Sequence, residues 1–310
     1  MNKKLVVEIA EGLGNQLFMY AHAFSMSQKL GCELLIDNKS AYSLKKNTLR
    51  KHQKYMLDLF NIKQNLAPKK YMYDNEYKRI LKKILILLDK LNYKKKFFKE
   101  ENIRINDKKI AKNYSVLSKS NFSNVTYVQG NFENYLYFDQ FKNELSNLFI
   151  PKKELITHKD SIVALLNNNN SISIHIRRNR FSDQVGLTET TKDQEKSDIF
   201  TNQIIDYINR SINFIEKKIQ NPQYFIWTND YKNFEQLSNK LIIKKYHLIN
   251  EDVINEFDLF QYVKHFIVGP SSFHWWGAWL NKNPNKICIR PSNLNPSNNE
   301  NFWPKDWISI

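Results

Sequence analysis

Three of the chain's eight arginines, Arg177, Arg178 and Arg180, lie within four residues, although 39 of the 47 basic residues are lysines. They follow the apolar run of residues 171–176, which reads as a buried strand. A planar guanidinium can hold phosphate oxygens in a bidentate fork that Lys cannot match. Because α/β domains bind ligands at the carboxyl ends of their strands, the cluster predicts an anion site. The alternative is a salt-bridge cluster between domains.

A second group of polar residues follows another apolar run, in the segment FIVGPSSFHWWGAWL. The strand predicted here ends at Gly269, and Ser271 or Ser272 is placed to cap the helix that begins next. Backbone amides and the positive end of the helix dipole make such a helix start an anion site. Three tryptophans at helical spacing further along are expected in the core rather than on a sugar platform: Trp275, Trp276 and Trp279.

Gly12 and Gly14 lie in one predicted strand-to-helix loop, EGLGNQLF, although the chain has only 7 glycines. The loop is not the dinucleotide fingerprint, because Leu17 occupies the third glycine position. We expect the backbone to approach a ligand closely at this helix start, with a merely structural tight turn as the alternative. Together the three groups predict a nucleotide diphosphate bound between two α/β halves. The absence of any Asp-x-Asp motif disfavours a metal-bridged diphosphate.

The elements that must position these groups begin with a strand, a loop, a helix and a second strand. We place them at residues 5–9, 12–15, 16–30 and 33–36, with the helix ended by Gly31. Residues 45–125 are rich in Lys and expected to be mostly helical, with a less regular tract near 100–125, and strand character resumes at 127–129.

The second half alternates strands and helices more regularly. Its predicted strands are 171–176, 224–227, 245–248 and 266–268, and its predicted helices are 200–219, 234–239, 253–263 and 273–280. This order predicts an α/β fold with two Rossmann-like domains, whose parallel sheets face each other across a cleft. The boundary is expected between about 150 and 170, giving a first domain of residues 1–160 and a second domain of residues 161–310.

Composition excludes several other classes of protein. The chain has 310 residues and is 42% hydrophobic, which is too apolar for a disordered chain. Its two cysteines, Cys32 and Cys288, share no zinc or redox spacing and suit a reducing cytoplasm. The longest apolar run, residues 84–88, is too short to span a bilayer, so we expect a cytoplasmic or peripheral protein.

The formal net charge of +16 is concentrated in one part of the chain. Residues 69–112 hold 13 Lys and 2 Arg against 6 acids, an excess of +9. Within them, apolar residues at helical spacing predict an amphipathic helix: Ile80, Ile84, Leu87, Leu88 and Leu91. The ordinary interpretation is that this helix buries its apolar face on its own domain, with an anionic membrane surface as the first alternative. Binding to nucleic acid is disfavoured, because proteins that bind nucleic acid favour Arg over Lys.

The motifs GLGNQLF, HIRR, FIWTND and DLFQYVKHFIVGPSSFHWWGAWL resemble glycosyltransferase family 11, the α-1,2-fucosyltransferases, from about residue 5 to residue 307. The resemblance implies two domains of the GT-B type, with residues 1–160 on the acceptor side and residues 161–310 binding the nucleotide sugar. It also implies inverting transfer of fucose from GDP-fucose without a metal or other cofactor. The implied partners are GDP-fucose and a galactose-terminated glycan or lipid-linked oligosaccharide, with an anionic membrane surface as a further partner and no nucleic acid.

The resemblance also implies roles for single residues. Arg177 would bind the β-phosphate, Arg178 would brace the loop, and His175 and Asp258 would lie near the guanosine. The diphosphate site would be lined by Ser271, Ser272 and Phe273. The cleft would be closed from the N-terminal half by Gly12, Gly14, Asn15 and Gln16. Asn229 and Asp230 match a motif of structural character.

The chain departs from the family pattern at two places. Asn179-Arg180 replaces a Gly-Asp pair after the arginines, and Glu11 replaces the first glycine of the opening motif. Because the acid of the first pair is missing, the candidates for a catalytic base are Asp183, Glu8 and Glu11. Transfer of a different sugar and glycan or membrane binding without transfer are the rival functions.

Overall fold

The computed structural model describes residues 3–43, 53–89, 91, 95–100, 102–105, 108–111, 122–167, 170–177, 191–297 and 299–310. The chain forms two compact units. The first unit comprises Met1–Phe149 with Ser297–Phe302, and the second comprises Ile150–Pro296 with Trp303–Ile310. Residues 150–160 therefore belong to the second unit, and a short C-terminal segment belongs to the first. Among the described residues, no helix combines the length and apolar character that crossing a bilayer requires.

The first unit is built on a four-stranded parallel sheet of order β2-β1-β6-β3. Its strands are β1 (Lys4–Glu8), β2 (Glu33–Asp37), β3 (Lys95–Lys99) and β6 (Phe122–Gln129), with an antiparallel pair formed by β4 (Asn102–Ile105) and β5 (Lys108–Ala111). Its helices are α1 (Leu13–Leu30), α2 (Glu76–Asp89) and α3 (Lys142–Leu148). The expectation that residues 45–125 are mostly helical is wrong, because α2 is followed by three strands. Of the three, β4 (NIRI) shows the alternation of polar and apolar residues that is typical of a strand.

Helix α1 ends as the sequence predicts. Gly31 adopts a left-handed conformation, with φ of 58°, and its backbone N–H bonds to Gln28 O. Glycine takes this conformation without steric cost, which explains the helix stop. The start of α1 is earlier than predicted: Gly12 is the N-cap, so Gly14 and Asn15 lie in the first helical turn rather than in a loop.

Helix α2 packs with its polar face inward, which corrects the interpretation that it buries its apolar face. Lys82 and Asp89 are buried, whereas the large apolar side chains Ile80, Ile84 and Leu87 are exposed. Lys82 pairs with Glu8 and Asp89 accepts from backbone amides of β3, so the buried charges are satisfied.

The second unit holds a six-stranded sheet of order β12-β11-β10-β7-β8-β9, in which every pair is parallel. Its strands are β7 (Ser171–Ile176), β8 (Gln223–Thr228), β9 (His247–Ile249), β10 (His265–Ile267), β11 (Cys288–Arg290) and β12 (Ile308–Ser309). Its helices are α4 (Asp160–Asn167), α5 (Thr191–Ile215), α6 (Phe234–Ser238), α7 (Val253–Leu259) and α8 (Ser272–Leu280). Strands β11 and β12 were not predicted; they have three and two residues.

Strand β7 is buried along its whole length, as expected for a parallel sheet covered on both faces. Its alternate residues Ile172, Ile174 and Ile176 belong to one hydrophobic cluster with isoleucines of α5, including Ile204 and Ile208. Its other face carries Ser171, Ser173 and His175, all buried. The predicted α/β class with two Rossmann-like parallel sheets is confirmed. The expected arrangement of the two sheets across a cleft stays a prediction.

Candidate functional site

The strand order of the second sheet reverses between β7 and β10. From β7 the chain first builds β8 and β9 on one side, and it then returns to add β10, β11 and β12 on the other. This is the strand order of dinucleotide-binding domains, in which ligands bind outside the carboxyl ends of the two strands where the order reverses. The residues that follow β7 and β10 are Arg177 and the segment 269–272, so the topology brings together two of the three predicted groups.

Arg177 is half-buried and directly follows β7. The remaining members of its cluster, Arg178 and Arg180, lie outside the described residues together with Asn179 and the candidate base Asp183. Their predicted roles stay predictions.

His175 is buried, and within the described part of the chain its Nδ1 has no hydrogen-bond partner. Burial, with the nearby Arg177 charge as a second cause, lowers its pKa to about 3. The imidazole is therefore neutral at physiological pH and offers one N–H and one lone pair. A buried nitrogen without a protein partner suits a hydrogen bond to a ligand.

His274 is a residue of this site that the sequence analysis missed. Its ring is fully buried, lies 5.3 Å from the His175 ring and is stacked on it. Burial holds the pKa of His274 well below its usual value, so the ring is neutral. Its Nδ1 accepts from the Gly269 amide at 3.3 Å, which leaves Nε2 to donate to Ser173 Oγ at 2.7 Å. His274 thus ties the β10–α8 loop to β7.

Gly269 is required where the two strand ends meet. A Cβ at this position would overlap the backbone carbonyl oxygen of His175. The residue after β10 is also held by the Tyr207 hydroxyl, whose single proton is shared between Ile289 O at 2.8 Å and Val268 O at 3.1 Å. The loop that precedes α8 is therefore fixed by packing and by hydrogen bonds.

The start of α8 has the geometry predicted for an anion site. Ser271 is the N-cap in an extended conformation, and its side chain makes no capping bond. First-turn amides have no acceptor inside a helix and point along its axis, so an anion there meets several donors. The Phe273 ring instead packs between Phe257 at 5.8 Å and Phe260 at 5.5 Å. The expectation that the α8 tryptophans lie in the core is confirmed, because all three are buried: Trp275, Trp276 and Trp279.

Two predicted residues of the second unit have partners inside the protein. Asp258 in α7 is buried, with Oδ2 at 2.8 Å from His158 Nε2 and Oδ1 at 2.7 Å from Gln261 Nε2. Asp230 follows β8 and accepts from the Asn233 side chain at 3.0 Å, which stabilises the turn into α6. Asn229 lies in the same turn.

In the first unit, Gly12 ends the β1–α1 loop as the N-cap of α1. Its φ of −81° is open to any residue, and a Cβ there would meet no atom within 4 Å. Neither the backbone nor the packing of the described residues therefore requires glycine here. Space left open at a helix start is what a closely approaching ligand needs.

The backbone conformation of Glu11 explains why this position favours glycine. Its φ of 65° lies in the left-handed region that residues with a side chain rarely adopt. The conformation is held by hydrogen bonds: Asn15 Nδ2 donates to the Glu11 carboxylate, and Tyr42 donates to its carbonyl oxygen at 3.2 Å. The departure from the glycine pattern is thus accommodated locally.

Gln16 lies in the interior of the first unit. Its Nε2 donates to Glu11 O at 2.8 Å and to Lys54 O at 2.7 Å, and its Oε1 accepts from Met56 N at 2.9 Å. Both amide hydrogens are used within the protein, so Gln16 positions the loop and reaches a ligand only through it.

Glu8 ends β1 with both carboxylate oxygens engaged. Lys82 Nζ lies 2.6 Å from Oε2, and Gln129 Nε2 donates to Oε1 at 2.7 Å. Because both oxygens are occupied by protein partners, this geometry suits a structural link between β1, α2 and β6 better than proton transfer.

The chain is similar to known glycosyltransferases along its whole length. It is 27% identical to an alpha-1,2-colitosyltransferase of Escherichia coli, over 99% of this chain and 98% of that protein. It is also 27% identical to the O-antigen biosynthesis glycosyltransferase WbnK of Escherichia coli, over 97% of this chain and 99% of that one.

Among solved structures, the fucosyltransferase NodZ from Bradyrhizobium is similar with a TM-score of 0.48 and 12% identity, over 91% of this chain and 94% of that chain. The family model for glycosyl transferase family 11 matches residues 4–310. This chain is therefore a member of glycosyl transferase family 11.

Proposed function

We propose that this glycosyltransferase transfers L-fucose from GDP-fucose to O2 of a galactose in a surface glycan, such as an O-antigen or capsule unit, in α-1,2 linkage. Membership of family 11 supports glycosyl transfer, and the relative named for O-antigen biosynthesis supports a glycan acceptor of this kind. The relative that is an alpha-1,2-transferase supports the linkage. A lipid-linked oligosaccharide as acceptor would put the reaction at the inner face of the membrane.

The observation that carries the proposal is that Arg177 and the start of α8 follow two paired strands, β7 and β10, at which the strand order reverses. In an inverting displacement, the acceptor hydroxyl oxygen bonds to the anomeric carbon as the bond from that carbon to the β-phosphate oxygen breaks. GDP leaves with the electron pair, and the hydroxyl proton goes to a base. Removing one donor that stabilises such developing charge costs about 10²–10³ in rate.

The nucleotide is proposed to lie along the same edge of the second unit. His175 would bond the guanosine through its unpartnered Nδ1, and Asp258 would lie beside it. Ser271, Ser272 and Phe273 would line the diphosphate site at the start of α8, with Arg178 bracing the arginine loop. In the first unit, the donor or acceptor would pass close to the open space at Gly12, next to Gly14 and Asn15, with Gln16 holding the loop in place.

For the base, we favour Asp183 over Glu8. Both oxygens of Glu8 are engaged by Lys82 and Gln129, whereas Asp183 follows the arginine cluster in sequence. Asp183→Asn is then expected to lower kcat by about 10²–10⁴. Glu8→Gln should lower stability with a smaller effect on kcat.

We further propose that the transfer needs no metal or other cofactor, since a guanidinium and a helix start can balance the diphosphate charge. Turnover is then expected to persist after dialysis against EDTA. A loss of turnover that manganese restores would overturn this point.

A second candidate donor is a colitosyl nucleotide, because a colitosyltransferase is similar to the chain along almost its entire length. Colitose is fucose without the 3-hydroxyl group. A site built to bond that hydroxyl would discriminate strongly against a donor lacking it, whereas an apolar pocket would discriminate weakly.

The test is mass spectrometry and linkage analysis of the products formed from each donor with a panel of galactosides. We expect a deoxyhexose added at O2 of galactose, with the preferred donor set by the ratio of the two kcat/KM values. Addition of a different sugar, or glycan binding with no transfer from either donor, would contradict the proposal.

A further inference from the structure

We propose that the outward face of α2 docks on the surface of an anionic lipid bilayer. We call this surface the α2 apolar face, and it consists of Tyr77, Ile80, Leu81, Ile84, Leu87, Leu88 and the adjacent Leu91. The side chains follow one another at intervals of three or four residues, so they form one stripe on the helix. They are strongly exposed, with Tyr77 at 77%, Leu87 at 64% and Leu88 at 55% of their free surface.

The opposite face of the helix is fixed to the first unit by polar contacts. Lys82 Nζ lies 2.6 Å from Glu8 Oε2 and 5.1 Å from the centre of the Tyr73 ring. Asp89 accepts from the Lys96 and Phe97 amides at 2.9 Å. At the first turn, Arg79 donates to the Tyr73 carbonyl at 3.3 Å. Turning the apolar stripe inward would break all of these bonds, so the fold itself presents the stripe outward.

An amphipathic helix that lies in a membrane interface has this composition, with an apolar stripe, flanking lysines and an aromatic residue at one end. Lys83 is exposed beside the stripe, Lys69 and Lys70 are exposed in the turn before the helix, and Lys99 is exposed on β3. These residues belong to the stretch of residues 69–112 with its charge of +9. Anionic lipid headgroups attract lysines close to the bilayer, while the apolar side chains enter the acyl boundary.

The positive charge also argues against a second copy of this chain as the partner that covers the α2 apolar face. Pairing two α2 apolar faces would bring two stretches of charge +9 together, and like charges at an interface oppose association. The anionic bilayer is the occupant that satisfies both the apolar stripe and its basic surroundings. This docking does not depend on which donor or acceptor the enzyme uses.

The experiment is sedimentation of the full chain with vesicles of phosphatidylcholine, with and without phosphatidylglycerol. We expect binding to the anionic vesicles, weaker binding to pure phosphatidylcholine, and a further loss in high salt. The triple variant Ile84→Gln, Leu87→Gln, Leu88→Gln should bind anionic vesicles at least about tenfold more weakly, because its stripe no longer partitions into the interface.

The matched control replaces exposed apolar residues of the second unit, Ile199→Gln and Ile242→Gln, which are 52% and 45% exposed. It should bind vesicles as the unaltered chain does, and both variants should transfer sugar to a soluble acceptor at the unaltered rate. Leu87→Gln alone serves if the triple variant does not fold. Absence of vesicle binding, or equal binding by the α2 variants, would overturn the proposal. So would a dimer in solution that only the α2 variants convert to monomer.

Discussion

At the residue scale, the described part of the candidate site is held together mainly by neutral, buried groups rather than by ion pairs. His274, Ser173 and Gly269 connect two strand ends through two hydrogen bonds and one close backbone approach. The sequence could predict Arg177, since an arginine cluster is conspicuous in a chain that uses Lys. It could not predict His274, because a histidine among tryptophans is typical of a core helix, and only the pairing of β10 with β7 brings the start of α8 beside His175.

The two loop glycines give opposite expectations when each is replaced by alanine. Gly269→Ala forces a Cβ onto the His175 carbonyl and should destabilise the fold by about 1–3 kcal/mol. Gly12→Ala meets no protein atom, so it should change stability by no more than about 1 kcal/mol and yet reduce transfer, because the ligand loses the space. Thermal melting and a transfer assay on both variants check this pair. Full transfer activity in Gly12→Ala would contradict the proposal that a ligand approaches this loop.

The buried histidines make stability sensitive to acid, and His22 in α1 is the clearest case. Its ring stacks on Phe132 at 4.0 Å, and neither ring nitrogen has a hydrogen-bond partner among the residues that the structure describes. Burial, with the charge of Lys29 as a second cause, lowers its pKa to about 3, whereas in the unfolded chain it is about 6.5. Between these values the unfolded chain binds the extra proton, so stability falls as the pH drops below about 6.5.

His22→Phe removes the titrating group and keeps a stacked ring. We therefore expect a smaller loss of melting temperature between pH 7.5 and pH 5 than in the unaltered chain. His247→Gln, at an exposed position of β9, is the control and should leave that loss unchanged. An equal acid sensitivity in His22→Phe would mean that other groups account for it.

At the element scale, the alternation of strands and helices in the second half was predictable because the β7, β8 and β10 strands are apolar runs bounded by polar segments. The helix boundaries were less predictable. Helix α5 begins at Thr191, well before the predicted start at residue 200, in a polar segment with weak periodicity. For α2 the periodicity correctly predicted a helix but not the direction of its apolar face. That direction depends on contacts of Lys82 with Tyr73, shortly before the helix, and with Glu8, which is 74 residues away in sequence.

Gln16 joins α1 to the segment of residues 54–56, and its loss tests how far that link supports the β1–α1 loop. Gln16→Leu leaves Lys54 O and Met56 N without their partner, and an unsatisfied buried group costs about 1–3 kcal/mol. We expect a decrease of at least about 2 kcal/mol in the free energy of unfolding, measured by urea titration. Gln28→Leu, an exposed position on the same helix, should have little effect. Equal stability of the two variants would contradict the bracing role.

At the scale of the whole molecule, the chain contains two parallel sheets, and each has one strand at which the strand order reverses. In the first sheet a loop with glycines follows that strand, and in the second an arginine cluster follows it. In the first sheet this strand is β1, which lies between β2 and β6, and in the second it is β7, which lies between β8 and β10. The fold class was predictable because such sheets require buried apolar strands in alternation with helices. Strand order was not, since it depends on contacts between segments far apart in the chain.

The central claim is that the charge of the departing nucleotide is stabilised by Arg177 and the start of α8. The most direct measurement is the turnover of the preferred donor by Arg177→Ala, with Arg210→Ala, an exposed position on α5, as the matched control. We expect Arg177→Ala to lower kcat by about 10²–10³ and Arg210→Ala to leave kcat unchanged. A kcat for Arg177→Ala close to that of the unaltered enzyme would contradict it.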